Sequence, residues 1–268
     1  MAYERRIDRA DPGCLLFLVD QSGSMNEPVH GTSVPKKDAV AEQINNLLTE
    51  FILACSAGDE GIRHYFDIGV IGFGVEVGSA LSGPLAGRKL VSIVDLADQP
   101  LATEPKPIWL RPTAGGATPM CAAMDTAGRL MADWANDHPD SFPPIVINIS
   151  DGAATDGDHA RLTGLAARMR SLKTLDGDLL FFNVNVSARP GEPLLFPSDA
   201  SALPADDSYA RVLFEMSSKL TPRQLKEAQR LGAQPGARGF AFNSDVMALR
   251  QFLEIGTMVQ TGADRPTV

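Results

Sequence analysis

The sequence has little of what would mark it as a membrane, nucleic-acid-binding or disulfide-built protein. No run approaches the ~18–20 consecutive apolar residues that crossing a bilayer requires. The first residues, Met1 to Asp11, are charged and lack an apolar signal-peptide core. Basic residues are outnumbered, 24 to 33, for a net charge of −9. Binding nucleic acid or an anionic membrane needs the opposite field, so neither is expected as a partner. Only three cysteines occur, Cys14, Cys55 and Cys121, far apart and inside apolar runs. This spacing suits neither a disulfide framework nor a zinc site and predicts buried thiols in a cytoplasmic protein. The four histidines, His30, His64, His138 and His159, share no ligand spacing. Gly72-Phe73-Gly74 lacks the third glycine and the helix of a dinucleotide loop, and no Walker motif or Gly-x-Ser-x-Gly elbow is present.

What is present, over 268 residues, is a regular alternation of short β-branched runs with longer segments of helical spacing. That alternation predicts a wound α/β fold, and the length is ample for a full core. Residues 14–19 form an unbroken apolar run ending at Asp20, as expected of a central parallel strand covered on both faces. An apolar stripe through Val40, Ile44, Leu47, Leu48, Phe51 and Cys55 predicts a helix from about Lys36 to Ala57, closed by Gly58. Further strands are expected at 66–73, 145–149, 179–186 and 239–242, with an antiparallel edge partner within 75–81. Further helices are expected from Met120, from Thr155 or Asp156 to about Leu172, near 209–220, from Thr221-Pro222 to Gly232, and after Asp245. Five prolines between Ser82 and Thr113 forbid a long regular element there.

Three segments carry candidate chemistry. Asp20-Gln21-Ser22-Gly23-Ser24 follows the first strand, and alternate residues of an extended chain project to one side, so a carboxylate and two hydroxyls point together. Gly115-Gly116-Ala117-Thr118-Pro119 presents a threonine hydroxyl just ahead of a helix, and Ser150-Asp151-Gly152 closes a later strand. All three fall beyond the carboxyl ends of strands, where α/β folds place ligands. Donors that are all oxygen suit a hard cation. Asp156 and Asp158 are expected to cap the next helix, and Met25 to sit at the rim of the site.

Together these segments resemble the metal-ion-dependent adhesion site of the von Willebrand factor A (VWA) family. Asp20, Ser22, Ser24, Thr118 and Asp151 each match a motif position, and the similarity runs from about Gly13 to Met258 within a single domain spanning 1–268. The resemblance implies a doubly wound, mostly parallel six-stranded Rossmann-like sheet of order 3-2-1-4-5-6, flanked by helices, with Mg²⁺ at its top and Mn²⁺ or Ca²⁺ as alternatives. Ser22, Ser24 and Thr118 would supply neutral hydroxyls, while Asp20 and Asp151 would act largely through water or orient the hydroxyls. The ion would keep a displaceable position, filled by an Asp or Glu of a partner protein. The function implied is a non-enzymatic, metal-dependent protein-binding module of the stand-alone bacterial type, in signalling or stress and defence complexes. The alternative is a Mg²⁺-dependent phosphotransferase or phosphatase using Asp20. That chemistry calls for a second acid close behind Asp20 and a lysine after a later strand, and neither is evident. A lysine head plugging the spot between the five oxygens would exclude the ion.

Overall fold

A computed structural model describes residues 2–56, 61–103, 105–186 and 191–261. The centre of the molecule is β1 (Gly13–Asp20), buried along its whole length. It pairs in parallel with β2 (Phe66–Phe73) on one side and with β5 (Ile145–Ser150) on the other. Next to β5 lies β8 (Leu180–Val186) and next to that β10 (Phe240–Ser244), both parallel. Three short strands finish the edges antiparallel: β3 (Val77–Ser79) and β4 (Val91–Ser92) on β2, and β9 (Leu194–Leu195) on β10. A separate two-stranded hairpin joins β6 (Lys173–Thr174) to β7 (Gly177–Asp178).

Among the described residues the main sheet therefore has eight strands where six were expected. The additions, β4 in the 82–113 stretch and β9 in a second proline-rich stretch between Pro193 and Pro204, are two residues long, too short to leave an alternating pattern. The six longer strands, counted along the chain, follow the expected order 3-2-1-4-5-6.

The unbroken apolar run of β1 is explained by two cores, one on each face. Leu15, Phe17 and Val19 pack with α1 (Lys36–Cys55) and α7 (Val246–Gly256), while Cys14, Leu16 and Leu18 pack with α3 (Met120–Asp137), α4 (His159–Arg170) and α5 (Ser208–Met216). Side chains alternate across the sheet, so both faces must be apolar. All three cysteines are buried thiols outside any disulfide. α1 ends at Cys55, with Ser56 as its C-cap, short of the Ala57 expected, and the expected closing residue Gly58 lies outside the described residues. Short α2 (Ile93–Asp98) sits in the proline-rich stretch, and α6 (Pro222–Ala228) opens with a Thr221/Gln224 capping box. Among the described residues no helix is long and apolar enough to cross a membrane.

Of the two aspartates expected to cap the helix after β5, one does so. Asp158 caps α4, accepting from the Arg161 amide at 2.8 Å. Asp156 instead serves α3, accepting from the amides of Cys121 and Ala122 at 3.0 and 2.8 Å. A helix's first amides have no partner of their own, and the sequentially remote loop supplies the acceptor. Met25, expected at the rim, is completely buried in the core beside α1.

Candidate functional site

Asp20 ends β1 and is 1 % exposed. Its Oδ1 accepts from the Ser22 amide at 2.8 Å, and its Oδ2 accepts from the Ser150 hydroxyl at 2.7 Å. Burial pushes its pKa above the usual carboxylate range, with the Ser22 and Ser150 hydrogen bonds pulling against it and Asp151 adding to the rise. The chain leaving Asp20 is clamped backbone to backbone: Gln21 donates to Phe73 at 2.7 Å, Gly115 donates to the Gln21 carbonyl at 2.7 Å, and Gly23 donates to Gly116 at 3.1 Å. Glycine is required at two places in this clamp. A Cβ on Gly74 would collide with the Gln21 carbonyl, and Gly116 combines φ of +75° with a Cβ position 2.8 Å from the Val75 nitrogen. The glycine-rich loop is thus seated directly against the Asp20–Ser24 turn.

From there the oxygens form a chain. Ser22 and Ser24 bring their hydroxyl oxygens to 3.1 Å, and Ser24 donates to Asp151 Oδ1 at 2.7 Å. Ser22 is buried, whereas Ser24 faces solvent. Thr118 stands in the adjoining loop, 6 % exposed, and is held through its backbone: its amide donates to Thr155 Oγ1 at 3.0 Å, and its carbonyl accepts from the Thr155 amide at 3.0 Å. Asp20, Ser22, Ser24 and Asp151 are therefore joined in one network around neighbouring strand ends. Thr118 is positioned beside that network and is not hydrogen-bonded into it.

Four contributors escape a reading of the sequence. Ser150 could have been found, because it directly precedes Asp151 at the strand end. Thr155 was legible only as a helix cap. Tyr209 comes from α5; burial and the charge of Asp20 raise its phenol pKa, and its hydroxyl lies 3.3 Å from Met120 Sδ. With Ala153, Ala154, Asp158 and His159 it lines an open groove of about 480 Å³ beside the Asp151 turn.

The fourth is Lys36, the first residue of α1. Its Nζ donates to Asp151 Oδ2 at 2.8 Å and to Glu27 Oε2 at 3.0 Å, and its side chain is only 4 % exposed. No lysine was expected here, since one was sought only near the end of a later strand, as the alternative phosphotransfer chemistry would require. The ammonium and the hydroxyl row meet Asp151 on different oxygens, Oδ2 and Oδ1 respectively, so Lys36 flanks the network rather than replacing a member of it.

The donor chemistry fits a hard divalent cation. Two cis ligands on an octahedral Mg²⁺, each at about 2.1 Å, stand about 3.0 Å apart. The Ser22 and Ser24 hydroxyl oxygens have that separation, 3.1 Å. Among the described residues no group of three His, Cys, Asp or Glu side chains gathers to hold a metal, so an ion here would depend on the hydroxyls.

No family model matches this chain, and no curated protein matches it. Similar solved structures include the von Willebrand factor type A protein from Catenulispora acidiphila, at 16 % identity and a TM-score of 0.41, covering 65 % of this chain and 33 % of that one. The manganese-loaded TRAP protein of Plasmodium vivax aligns at 17 % identity and a TM-score of 0.37, covering 66 % and 57 % respectively. The pilus adhesin SpaC of Lactobacillus rhamnosus GG aligns at 13 % identity and 0.45, covering 78 % and 28 %. The chain thus spans about a third, just over half and about a quarter of those proteins. Likeness this distant says nothing of site or partner. The VWA-like fold is seen in this chain's own strand order and in its helices on both faces.

Proposed function

We propose that this protein is a non-enzymatic protein-binding module whose contact centre is a divalent ion, Mg²⁺ first and Mn²⁺ or Ca²⁺ as alternatives. Ser22, Ser24 and Thr118 would bind it through hydroxyls, with Asp20 and Asp151 orienting hydroxyls and waters. The observation that carries this reading is the pair of hydroxyl oxygens at 3.1 Å, backed by a carboxylate at each end of the row. A carboxylate from a partner's Asp or Glu would complete the coordination, and the loops holding Gln21 and Ala153 to Asp158 would set specificity. Hydroxyl ligands carry no charge, so the ion retains positive charge for an incoming acid. The setting attached to this reading, from the resemblance alone, is a bacterial cytoplasmic complex in signalling or in stress and defence.

Calorimetric titration of Mn²⁺ and Mg²⁺ into the wild type, Ser22→Ala and Thr118→Ala tests it. Each substitution should weaken binding roughly tenfold or more while leaving the melting temperature in chelator nearly unchanged. Partner capture that survives both a chelator and these substitutions would sink the metal bridge. Asp20-dependent release of phosphate from a generic ester would replace the module by an enzyme.

A further inference from the structure

Lys36 stands where local physics disfavours it. It opens α1, and a cation at a helix N-terminus opposes the helix dipole. It is also buried, which costs a charged group its hydration unless it is paired. Its partners are unlike each other: the Asp151 side chain is 1 % exposed and belongs to the hydroxyl network, whereas the Glu27 side chain is 60 % exposed and faces water.

We propose that Lys36 is a built-in counter-ion for Asp151, which a divalent metal must displace toward Glu27, so that the site exchanges one cation for another. The inference rests on the metal reading above. Ser24 can keep donating its proton to Asp151 Oδ1 while its oxygen lone pair faces an ion, because a hydroxyl is donor and acceptor at once. The Lys36 ammonium has no such second role. It shares Asp151 with whatever cation arrives, repels it, and has an alternative carboxylate already 3.0 Å away. Release of Asp151 is then part of the binding reaction, and metal affinity is held below what the oxygens alone would give. Without metal, the same ammonium offsets the two carboxylates that end β1 and follow β5.

The test is titration of Mn²⁺ alone into the full chain as wild type, Lys36→Met and Glu27→Gln, with thermal melting in chelator and in Mn²⁺. Removing a positive charge so close to the ion should tighten binding at least roughly tenfold in Lys36→Met. That variant should also melt lower in chelator and gain more from Mn²⁺ than the wild type does. Glu27→Gln, on an exposed side chain, takes away the retreat of the ammonium and should weaken binding about threefold or more. Binding by Lys36→Met alone would support the exchange in its strongest form. Wild-type binding with no tightening in Lys36→Met would overturn the counter-ion role and leave the metal module intact. Absence of binding in every form would remove the metal reading and this inference together. Should Lys36→Met not fold, Glu27→Gln decides: affinity equal to or tighter than wild type overturns the proposal.

Discussion

The two ends of the sheet each hold carboxylates drawn in from water, half-buried Asp67 at one and Asp20 with Asp151 at the other, and they hold them differently. At the amino-terminal end of β2, Asp67 accepts from the Trp134 indole at 2.9 Å and meets His64 Nε2 at 2.8 Å, while Trp134 in turn stacks on His138 with ring centroids 4.4 Å apart. Burial pushes the Asp67 pKa up, but the His64 and Trp134 hydrogen bonds outweigh it and hold the carboxyl below its usual range. At the carboxyl-terminal end, Asp20 and Asp151 are met by the hydroxyls of Ser150 and Ser24, with one ammonium on Asp151. The indole N–H can only donate, so Asp67 is closed as a structural contact. Hydroxyls can turn a lone pair outward, so under the proposed reading the hydroxyl row at the other end would take a cation once Lys36 yields Asp151. Shielding of an acid from water therefore does not distinguish the two ends, whereas the kind of donor around it does.

Substitutions can break that contrast. The largest effect is expected from Asp20→Ala, which should lower Mn²⁺ affinity by about 100-fold in calorimetry while the melting temperature in chelator holds or rises, because a buried, partly repelled charge is removed. Asp67→Ala should behave in the opposite way. It leaves the buried Trp134 indole without its acceptor, costing about 2 kcal/mol in denaturant unfolding, with metal affinity untouched. Asp156→Ala sharpens the comparison from within the candidate site's own loop. Its carboxylate serves α3 amides, so a loss of about 1 kcal/mol with unchanged metal affinity is expected. A large loss of Mn²⁺ binding in Asp156→Ala would make it a ligand instead of a cap.

The smallest expected effect is a pH dependence at the Asp67 end. The hydrogen bond to Asp67 raises the His64 pKa, so the His64 contribution is fully present below its unfolded value of about 6.5 and is lost as pH rises through the folded one. Asp67, with a lowered pKa, contributes fully above its unfolded value of about 3.9 and loses that as pH falls through the folded one. The stability difference between wild type and His64→Ala should therefore be greatest between about pH 4 and 6.5 and shrink toward pH 8. A difference that grows from pH 6 to pH 8 would mean that the pair is not an ion pair. His64 is well exposed, so the effect is expected to be modest.

Much of the sheet was legible because long strands covered on both faces leave continuous apolar runs. Residues 66–73 were anticipated at both limits, and 145–149 and 179–186 each within one residue of β5 and β8. The two-residue strands β4 and β9 were not, since their pairing depends on the neighbour and leaves no periodic trace. In the site, Asp20, Ser22, Ser24 and Asp151 were legible because each lies in or beside a strand-end turn with a recognisable spacing. Asp156 was misassigned because a cap is a contact between a side chain and whichever free amides lie nearest in space, and those belong to α3.

The order of residues along the chain was enough to determine a wound α/β sheet and which strand ends carry oxygens, because periodicity and turn spacing are local properties of the backbone. Only the tertiary structure decided that Ser150 secures Asp20, that Thr155 pins the Thr118 loop, and that Lys36 closes on Asp151. A charge's partner is set by distance through space and by the water excluded around it. Neither quantity exists until the helices have packed against the sheet.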